Sequence, residues 1–359
     1  MTITNTISTL ASIGTAVNAA DVTTPDNELL ALINNLVNGS GDTEQILWDQ
    51  ISTPATPAST KWKQYFKSGG LYSLDSSGGE SLITPSHAVC EGRLTLTSGT
   101  PVTTTDVTAA TTVYFTPYNG NRLAVYNGSF WIIKTFSELS ITMALATAST
   151  PYDIFVYDNA GTLTLEKLAW TNDTTRATAL TTQDGVYVKS GATTRRYLGT
   201  VRTTSTIGQT EDSFTKRFVW NLYNRRTRVL RVRDTTDSWT YATAAYRPGN
   251  NSTSNRVEFV RGLAEDPVQL INVMAMTQTG SVSGAAGIGI GSTTVNSAFI
   301  YTTALPSFLS LLWAFYRDIP AVGYNYLQPL EYSTGATVTF YGDSGVTYLQ
   351  TGAIGEMAA

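Results

Sequence analysis

The chain has 359 residues, of which 42% are hydrophobic and only 14% are charged, and its formal net charge is -4. The apolar content is sufficient for a packed core, while the weak acidity gives no electrostatic basis for nucleic acid or an anionic membrane as a partner. The single cysteine, Cys90, excludes an intrachain disulfide, and we interpret it as a small buried apolar residue.

The N-terminus and the apolar runs argue against export and membrane insertion. Residues 1–10 lack the basic flank and apolar stretch of a signal peptide. The longest apolar run, residues 305–315, is interrupted by Pro306 and serines and is too short to span a bilayer. We therefore expect a protein that is made in a cytoplasm and is not inserted into a membrane.

A short amphipathic helix is predicted to begin at Pro25, with Thr24 as its N-cap. Its apolar side chains recur at helical spacing on one face: Leu29, Leu32, Ile33 and Leu36. Such a helix is marginal in water by itself, so this stripe must pack on copies of itself, on the following domain or on another protein. With a second helical piece over 42–51, we assign residues 1–52 to an N-terminal anchor or oligomer contact.

The next segment, residues 53–87, is predicted to contain a linker and a small β-meander. Proline marks residues 52–59 as extended. Short aromatic and apolar runs then alternate with glycine turns, at Gly69-Gly70 and at 75–79.

Residues 88–359 are predicted to form the displayed β-region, because strand-like runs recur between turn signals. The runs are 93–97, 112–116, 123–126, 131–136, 153–157, 163–168, 185–189, 197–203, 217–223, 228–232, 256–260 and 336–341. This rhythm is typical of a mainly β fold, and we predict an antiparallel β-sandwich of jelly-roll type with a break between subdomains near residue 272. The absence of a repeat of about 20 to 50 residues argues against a solenoid or parallel β-helix.

Catalytic chemistry finds little support in the sequence. One histidine, His87, provides no metal-ligand pair, and Gly342-Asp343-Ser344-Gly345, which resembles the serine context of a protease, is interpreted as an ordinary turn. A glycosidase needs two carboxylates, but no spacing selects an acid and a base among the candidates. These candidates are Asp153, Glu166, Asp173, Glu258, Glu265 and Asp266. We predict no catalytic residues, no metal and no cofactor, and read the carboxylates as turn caps and surface groups.

Two further segments have both a functional and a structural interpretation. The basic run 216–233 interleaves arginines with aromatics, but we interpret it as an edge or interface strand whose charge Asp234, Asp237 and Glu258 balance. The glycine-rich run 283–292 lacks the Gly-Lys-Ser/Thr of a phosphate loop, so we expect a flexible loop or a strand bulge.

Aromatic residues near the C-terminus form the remaining candidate binding set: Trp313, Phe315, Tyr316, Tyr324 and Tyr326. They could stack on sugar rings of a host surface glycan. Because leucines lie among them, burial in a subunit interface is the favoured interpretation.

The stretch 57–78 contains Tyr65-Phe66-Lys67-Ser68-Gly69-Gly70-Leu71-Tyr72-Ser73-Leu74-Asp75 and resembles a short module of bacteriophage fibre and head-decoration proteins. In those proteins the module joins a particle-binding N-terminus to a displayed domain. Further stretches are similar to phage virion sequences, namely 93–99, 116–120, 170–172 and 323–328.

This resemblance covers most of the chain after residue 53 and implies a non-enzymatic structural protein on the virion surface, made in the host cytoplasm. It implies a homotrimer with capsid or tail proteins as partners, and the stripe at Leu29 would suit a three-helix contact. The chain lacks the sustained heptads and collagen-like repeats of long fibres, which favours a short knob or spike. A capsid cement protein and a glycan-cleaving tailspike remain the alternatives.

Overall fold

The computed structural model describes residues 51–67, 70–83, 87–278, 283–303, 309–346 and 349–359. The chain divides into two compact units, Met1–Thr84 and Pro85–Ala359. The predicted N-terminal helices, with the stripe Leu29, Leu32, Ile33 and Leu36, lie outside the described residues.

The described part of the first unit contains a three-stranded antiparallel meander of β1 (Lys63–Lys67), β2 (Gly70–Leu74) and β3 (Glu80–Leu82). Tyr65 and Leu74 are buried within it. The meander is found where the alternation of aromatic runs and glycine turns predicted it.

The second unit begins with strands that are mostly short. In chain order these are β4 (Gly92–Thr95), β5 (Val107–Ala110), β6 (Thr112–Pro117), β7 (Arg122–Tyr126), β8 (Trp131–Thr135), β9 (Leu139–Thr142), β10 (Pro151–Asn159), β11 (Thr162–Ala169), β12 (Leu180–Gln183), β13 (Val186–Lys189) and β14 (Ala192–Arg202).

The strands that follow in the C-terminal half vary in length from two residues to eleven. They are β15 (Thr210–Asp212), β16 (Lys216–Arg217), β17 (Val219–Asn221), β18 (Thr227–Asp234), β19 (Ser238–Tyr241), β20 (Tyr246–Pro248), β21 (Val257–Arg261), β22 (Val268–Gln278), β23 (Gly284–Ile290), β24 (Ile300–Tyr301), β25 (Ser310–Asp318), β26 (Gly323–Ser333), β27 (Val338–Tyr341) and β28 (Thr351–Ala358). A 3-10 helix, Gly249–Asn251, follows β20. Within the described residues, no helix is long and apolar enough to cross a membrane.

The predicted mainly β, antiparallel fold is confirmed. In the N-terminal half, one sheet has the order β11-β10-β14-β13-β12 with β17 beside β14, and smaller sheets are β4-β6-β9 and β7-β8. Apolar residues of these sheets form one core, which includes Leu94, Phe115, Ile154 and Val201.

Two seven-stranded sheets dominate the C-terminal half, and their apolar residues share a second core. The first sheet has the order β20-β26-β21-β16-β15-β5 with β23 beside β26, and the second has the order β18-β28-β22-β25-β24 with β27 and β19 attached. The pair β16 and β21 is parallel, whereas the neighbouring pairs are antiparallel. Leu270, Met274, Leu312, Phe259 and Leu327 meet in the core between them.

The glycine-rich run forms neither the flexible loop nor the strand bulge that the sequence predicted. Residues 284–290 are strand β23, paired in register with β26 from Gly284↔Ser333 to Ile290↔Leu327. The glycines allow close approach: a Cβ at Gly289 would collide with the carbonyl oxygen of Ser292 and lie 3.0 Å from that of Val295. Glycine therefore serves packing here rather than flexibility.

Two other expectations change in detail. The predicted run 217–223 is divided into β16 and β17, with Phe218 buried between them. Asn272, near which a break between subdomains was predicted, lies inside β22 and pairs with both β25 and β28. The chain therefore does not leave one sheet for another at this residue.

Candidate assembly face and a cationic cleft

The sheet β18-β28-β22-β25-β24 has apolar side chains on both faces. Along β25, Leu312, Ala314 and Tyr316 are buried in the core, whereas Leu311 and Trp313, which alternate with them, are 65% and 43% exposed. Because side chains alternate across a strand, the outward residues form a second face. An exposed apolar sheet face is unusual, since outward positions are normally polar.

Strand register aligns these outward residues into a row across the sheet. Arg231 pairs with Ile354, Ile354 with Ile271, Ile271 with Phe315, and Phe315 with Ile300. Residues directly opposite each other on paired strands point to the same side of a sheet. Four of the five side chains in this row are therefore contiguous apolar groups.

We call this surface the assembly face. Its exposed large apolar side chains are Val229, Ile271, Ile300, Leu311, Trp313 and Ile354. Phe299, which is 82% exposed, directly precedes β24. A contiguous apolar patch of this kind marks a surface of association, whereas single exposed apolar residues carry no such meaning.

Charged groups lie around the apolar row. Arg231 stacks on Phe214 at 3.7 Å from its ring centroid, and Arg233 donates a hydrogen bond of 2.7 Å to Gln350. Gln269, two residues before Ile271 on β22, lies opposite Arg317 of β25 and donates a hydrogen bond to Glu356. The face thus has an apolar centre and a margin with charges of both signs.

The structure separates the five aromatics that the sequence grouped together. Trp313 and Phe315 lie on the assembly face, whereas Tyr316 is only 4% exposed and belongs to the core. Tyr324 and Tyr326 lie in the other seven-stranded sheet, where arginines cover their rings. Trp313, Phe315 and Tyr316 all lie on β25. Because side chains alternate along a strand, Tyr316 points to the face opposite to that of Trp313 and Phe315.

A cleft of about 260 Å³ lies beside Tyr324, and we call it the cationic cleft. Its polar lining includes Ser149, Arg202, Lys216, Arg256, Glu258 and Tyr324. Arg202 stacks on the Tyr324 ring at 3.9 Å, and the Tyr324 hydroxyl donates a 2.8 Å hydrogen bond to Glu258. Burial, followed by that bond to Glu258, raises the pKa of Tyr324, which keeps the hydroxyl protonated as a donor.

Sequence reasoning did not select Arg202 or Lys216 for this cleft. These residues lie on β14 and β16, which belong to different sheets. Only the packing of the two sheets brings them together, so no local pattern signals the cleft.

The six carboxylates considered for glycosidase chemistry are each paired with a basic residue, rather than being caps or solvated groups alone. The pairs are Asp153 with Arg176, Glu166 with Lys189 and Arg195, Asp173 with Arg202, Glu258 with Arg256, and both Glu265 and Asp266 with Arg225. Burial raises the pKa of Asp153, which is 1% exposed and also accepts a hydrogen bond from Thr200.

The basic run has a structural role, but with different partners from those predicted. Arg217 and Arg228 both pair with Asp212, at 2.9 and 2.8 Å, and Lys216 pairs with Glu211 at 3.2 Å. Strand β18, which carries Arg228, lies at one end of its sheet order. The expected edge position is therefore found, while Asp212 balances the charge.

The remaining reactive candidates are structural. Cys90 is buried, as predicted, and burial raises the pKa of its thiol to about 11. Asp343 accepts a hydrogen bond from the backbone amide of Gly345, which makes the Asp-Ser-Gly sequence a turn. Within the described residues, no group of three or more His, Cys, Asp or Glu side chains could hold a metal.

Comparison with known proteins gives no family assignment: the sequence matches no protein-family model and no curated protein. Among solved structures, a Cry1Da tryptic core variant from Bacillus thuringiensis is 6% identical with a TM-score of 0.19; the alignment covers 70% of this chain and 48% of the toxin chain. An exo-beta-1,3-galactanase from Phanerochaete chrysosporium, solved with galactose, is 11% identical with a TM-score of 0.15, over 86% of this chain and 100% of the enzyme. Similarity at this level carries no argument about fold or function.

Proposed function

We propose that the chain is a non-enzymatic structural protein of a bacteriophage particle surface, a short fibre or spike that assembles as a homo-oligomer. The sequence resemblance over 57–78 supports the phage context and a trimer. The observation that carries the assembly is the assembly face, where Ile354, Ile271, Phe315 and Ile300 form one apolar row across the sheet.

The occupant of this face is a second copy of the chain. Burying its apolar row contributes about 25 cal/mol for each Å² removed from water, which favours a partner surface that is also apolar. Arg231 and Arg317 at the margin can pair with Glu356 of a second copy, so the face supplies both signs of charge itself. Symmetry then repeats one contact around the oligomer.

The test is the oligomeric state of the purified full-length chain, measured by light scattering. We expect an oligomer for the natural chain and dissociation for Leu311→Asp, because a carboxylate would be buried without a partner. Ile207→Asp is the matched control, since Ile207 is 67% exposed, close to the 65% of Leu311, but lies outside the assembly face.

A natural chain that is monomeric at micromolar concentration would overturn the proposed contact. An oligomer that survives Leu311→Asp would do the same. A monomer whose binding to purified particles is lost in Leu311→Asp would instead place a capsid protein on this face, as in a cement protein.

A further inference from the structure

The cationic cleft has a surplus of positive charge among the groups that line it. Arg202, Lys216 and Arg256 contribute three cations, while Glu258 is the one carboxylate of the lining. Glu211 and Asp173 pair with Lys216 and Arg202 but do not line the cleft. Each of the three cations thus has one carboxylate partner, and a ligand anion would use the donors that these pairs leave free.

Two of these cations are held near each other by strand pairing. Lys216 lies opposite Glu258 in the parallel pair of β16 and β21, and Arg256 is two residues before Glu258. Glu258 accepts hydrogen bonds from both Arg256, at 3.1 Å, and Tyr324, at 2.8 Å. Glu258 thereby fixes the Arg256 guanidinium, which also donates to the Tyr324 hydroxyl at 3.3 Å.

These cations can accept a further anion. The Lys216 and Arg256 side chains are 36% and 24% exposed, whereas Arg202 is only 7% exposed and is held by Asp173 through two hydrogen bonds. An ammonium has three donors and a guanidinium five, so one carboxylate partner does not saturate either group. Lys216 and Arg256 are therefore the residues that would contact a ligand, and Arg202 positions the Tyr324 ring.

The rest of the cleft suits a polyhydroxylated molecule. The lining also includes Ser149, Thr204 and Ser205, which carry hydroxyl groups, and Phe218 and Tyr324, which carry aromatic carbon. Small-ligand sites combine such apolar walls with a few polar groups that fix orientation. At about 260 Å³ the cleft has the size for one sugar ring rather than a long chain.

We infer that the cationic cleft binds a carboxylated sugar residue, with its carboxylate between Lys216 and Arg256 and its hydroxyl groups toward Ser149, Thr204 and Ser205. This site differs from the assembly face and adds a ligand to the proposed surface role. It does not require assembly, because all of its lining comes from one chain.

The test is an NMR titration of the full-length chain with glucuronate as the probe, and with glucose and acetate as comparison ligands. We expect glucuronate to bind at least about tenfold more tightly than either, because only glucuronate has both the carboxylate and the hydroxyl groups. Lys216→Gln and Arg256→Gln should each weaken glucuronate binding by about tenfold.

Arg195→Gln is the matched control, since this partly exposed arginine pairs with Glu166 outside the cleft and should leave the affinity unchanged. Thermal unfolding of each variant establishes that it is folded. Equal affinity for glucose or acetate, or unchanged affinity in both cleft variants, would overturn the inference. Leu311→Asp should bind glucuronate like the natural chain, so a failure of assembly and a failure of ligand binding are distinguishable.

Discussion

Arg196 is a fully buried cation whose hydrogen-bond partners are backbone carbonyls rather than a carboxylate. It lies on β14 and donates to the carbonyl oxygens of His87, Val89 and Ala124 at 2.9, 3.0 and 2.7 Å. Its guanidinium also stacks on Tyr223 at 4.6 Å. One side chain therefore satisfies carbonyls of the segment before β4 and of β7, which fixes both against β14.

We predict that Arg196→Met lowers the free energy of unfolding by about 3 kcal/mol, because it removes three hydrogen bonds that a fully buried guanidinium donates to backbone carbonyls. Denaturant unfolding of the full chain measures this. Arg195→Met, at the neighbouring and partly exposed position, should cost no more than about 1 kcal/mol. Equal losses for the two variants would contradict the assigned role of Arg196.

At the scale of elements, glycine decides where strands approach closely. In β28, Cβ atoms at Gly352 and Gly355 would collide with the carbonyl oxygens of Val232 and Gln269. In β23, Gly289 meets the turn that follows its own strand. Strands that contain several glycines have low intrinsic β propensity, so neighbouring backbone rather than local preference maintains them.

We predict that Gly289→Ala destabilises the protein by about 1 to 3 kcal/mol, because the obstacles are the backbone carbonyls of Ser292 and Val295, which cannot move aside as a side chain would. The thermal unfolding midpoint measures the effect. Thr294→Ala, an exposed substitution in the adjoining turn, should change stability by less than about 0.5 kcal/mol. A Gly289→Ala protein as stable as the natural chain would show that this turn adapts.

At the scale of the whole molecule, two surfaces have separate proposed roles. The assembly face lies in the unit Pro85–Ala359, and the predicted apolar stripe at Leu32 and Ile33 belongs to the unit Met1–Thr84. We propose that the first provides the contact between copies, and we predict that the second anchors the protein to capsid or tail.

We predict that Leu32→Asp combined with Ile33→Asp gives a folded chain that is absent from particles, because the anchor would have to bury carboxylates. Particle incorporation is measured by immunoblotting of purified virions, with circular dichroism as the control for folding. Normal incorporation of this double variant would place the anchor elsewhere.

The sequence determined the fold class and much of the local structure of this protein. Turn signals bracket the runs 123–126 and 163–168, which lie within β7 and β11, and the run 93–97, which overlaps β4 over its first three residues. The turn at Asp343 and the burial of Cys90 were likewise readable, because both follow from local chemistry and side-chain type.

The sequence favoured a subunit interface for the aromatics near the C-terminus, but tertiary structure decided which of them reach the surface and where the cleft lies. Strand β25 is apolar on both faces, and a sequence of this kind is also typical of a strand buried on both sides, so the outward direction of Leu311 and Trp313 was not readable locally. The cleft required Arg202 of β14 and Lys216 of β16 to meet Arg256, which directly precedes β21. Periodicity fixes which residues share one face of a strand, but which face meets solvent and which distant side chains become neighbours depend on how the sheets pack.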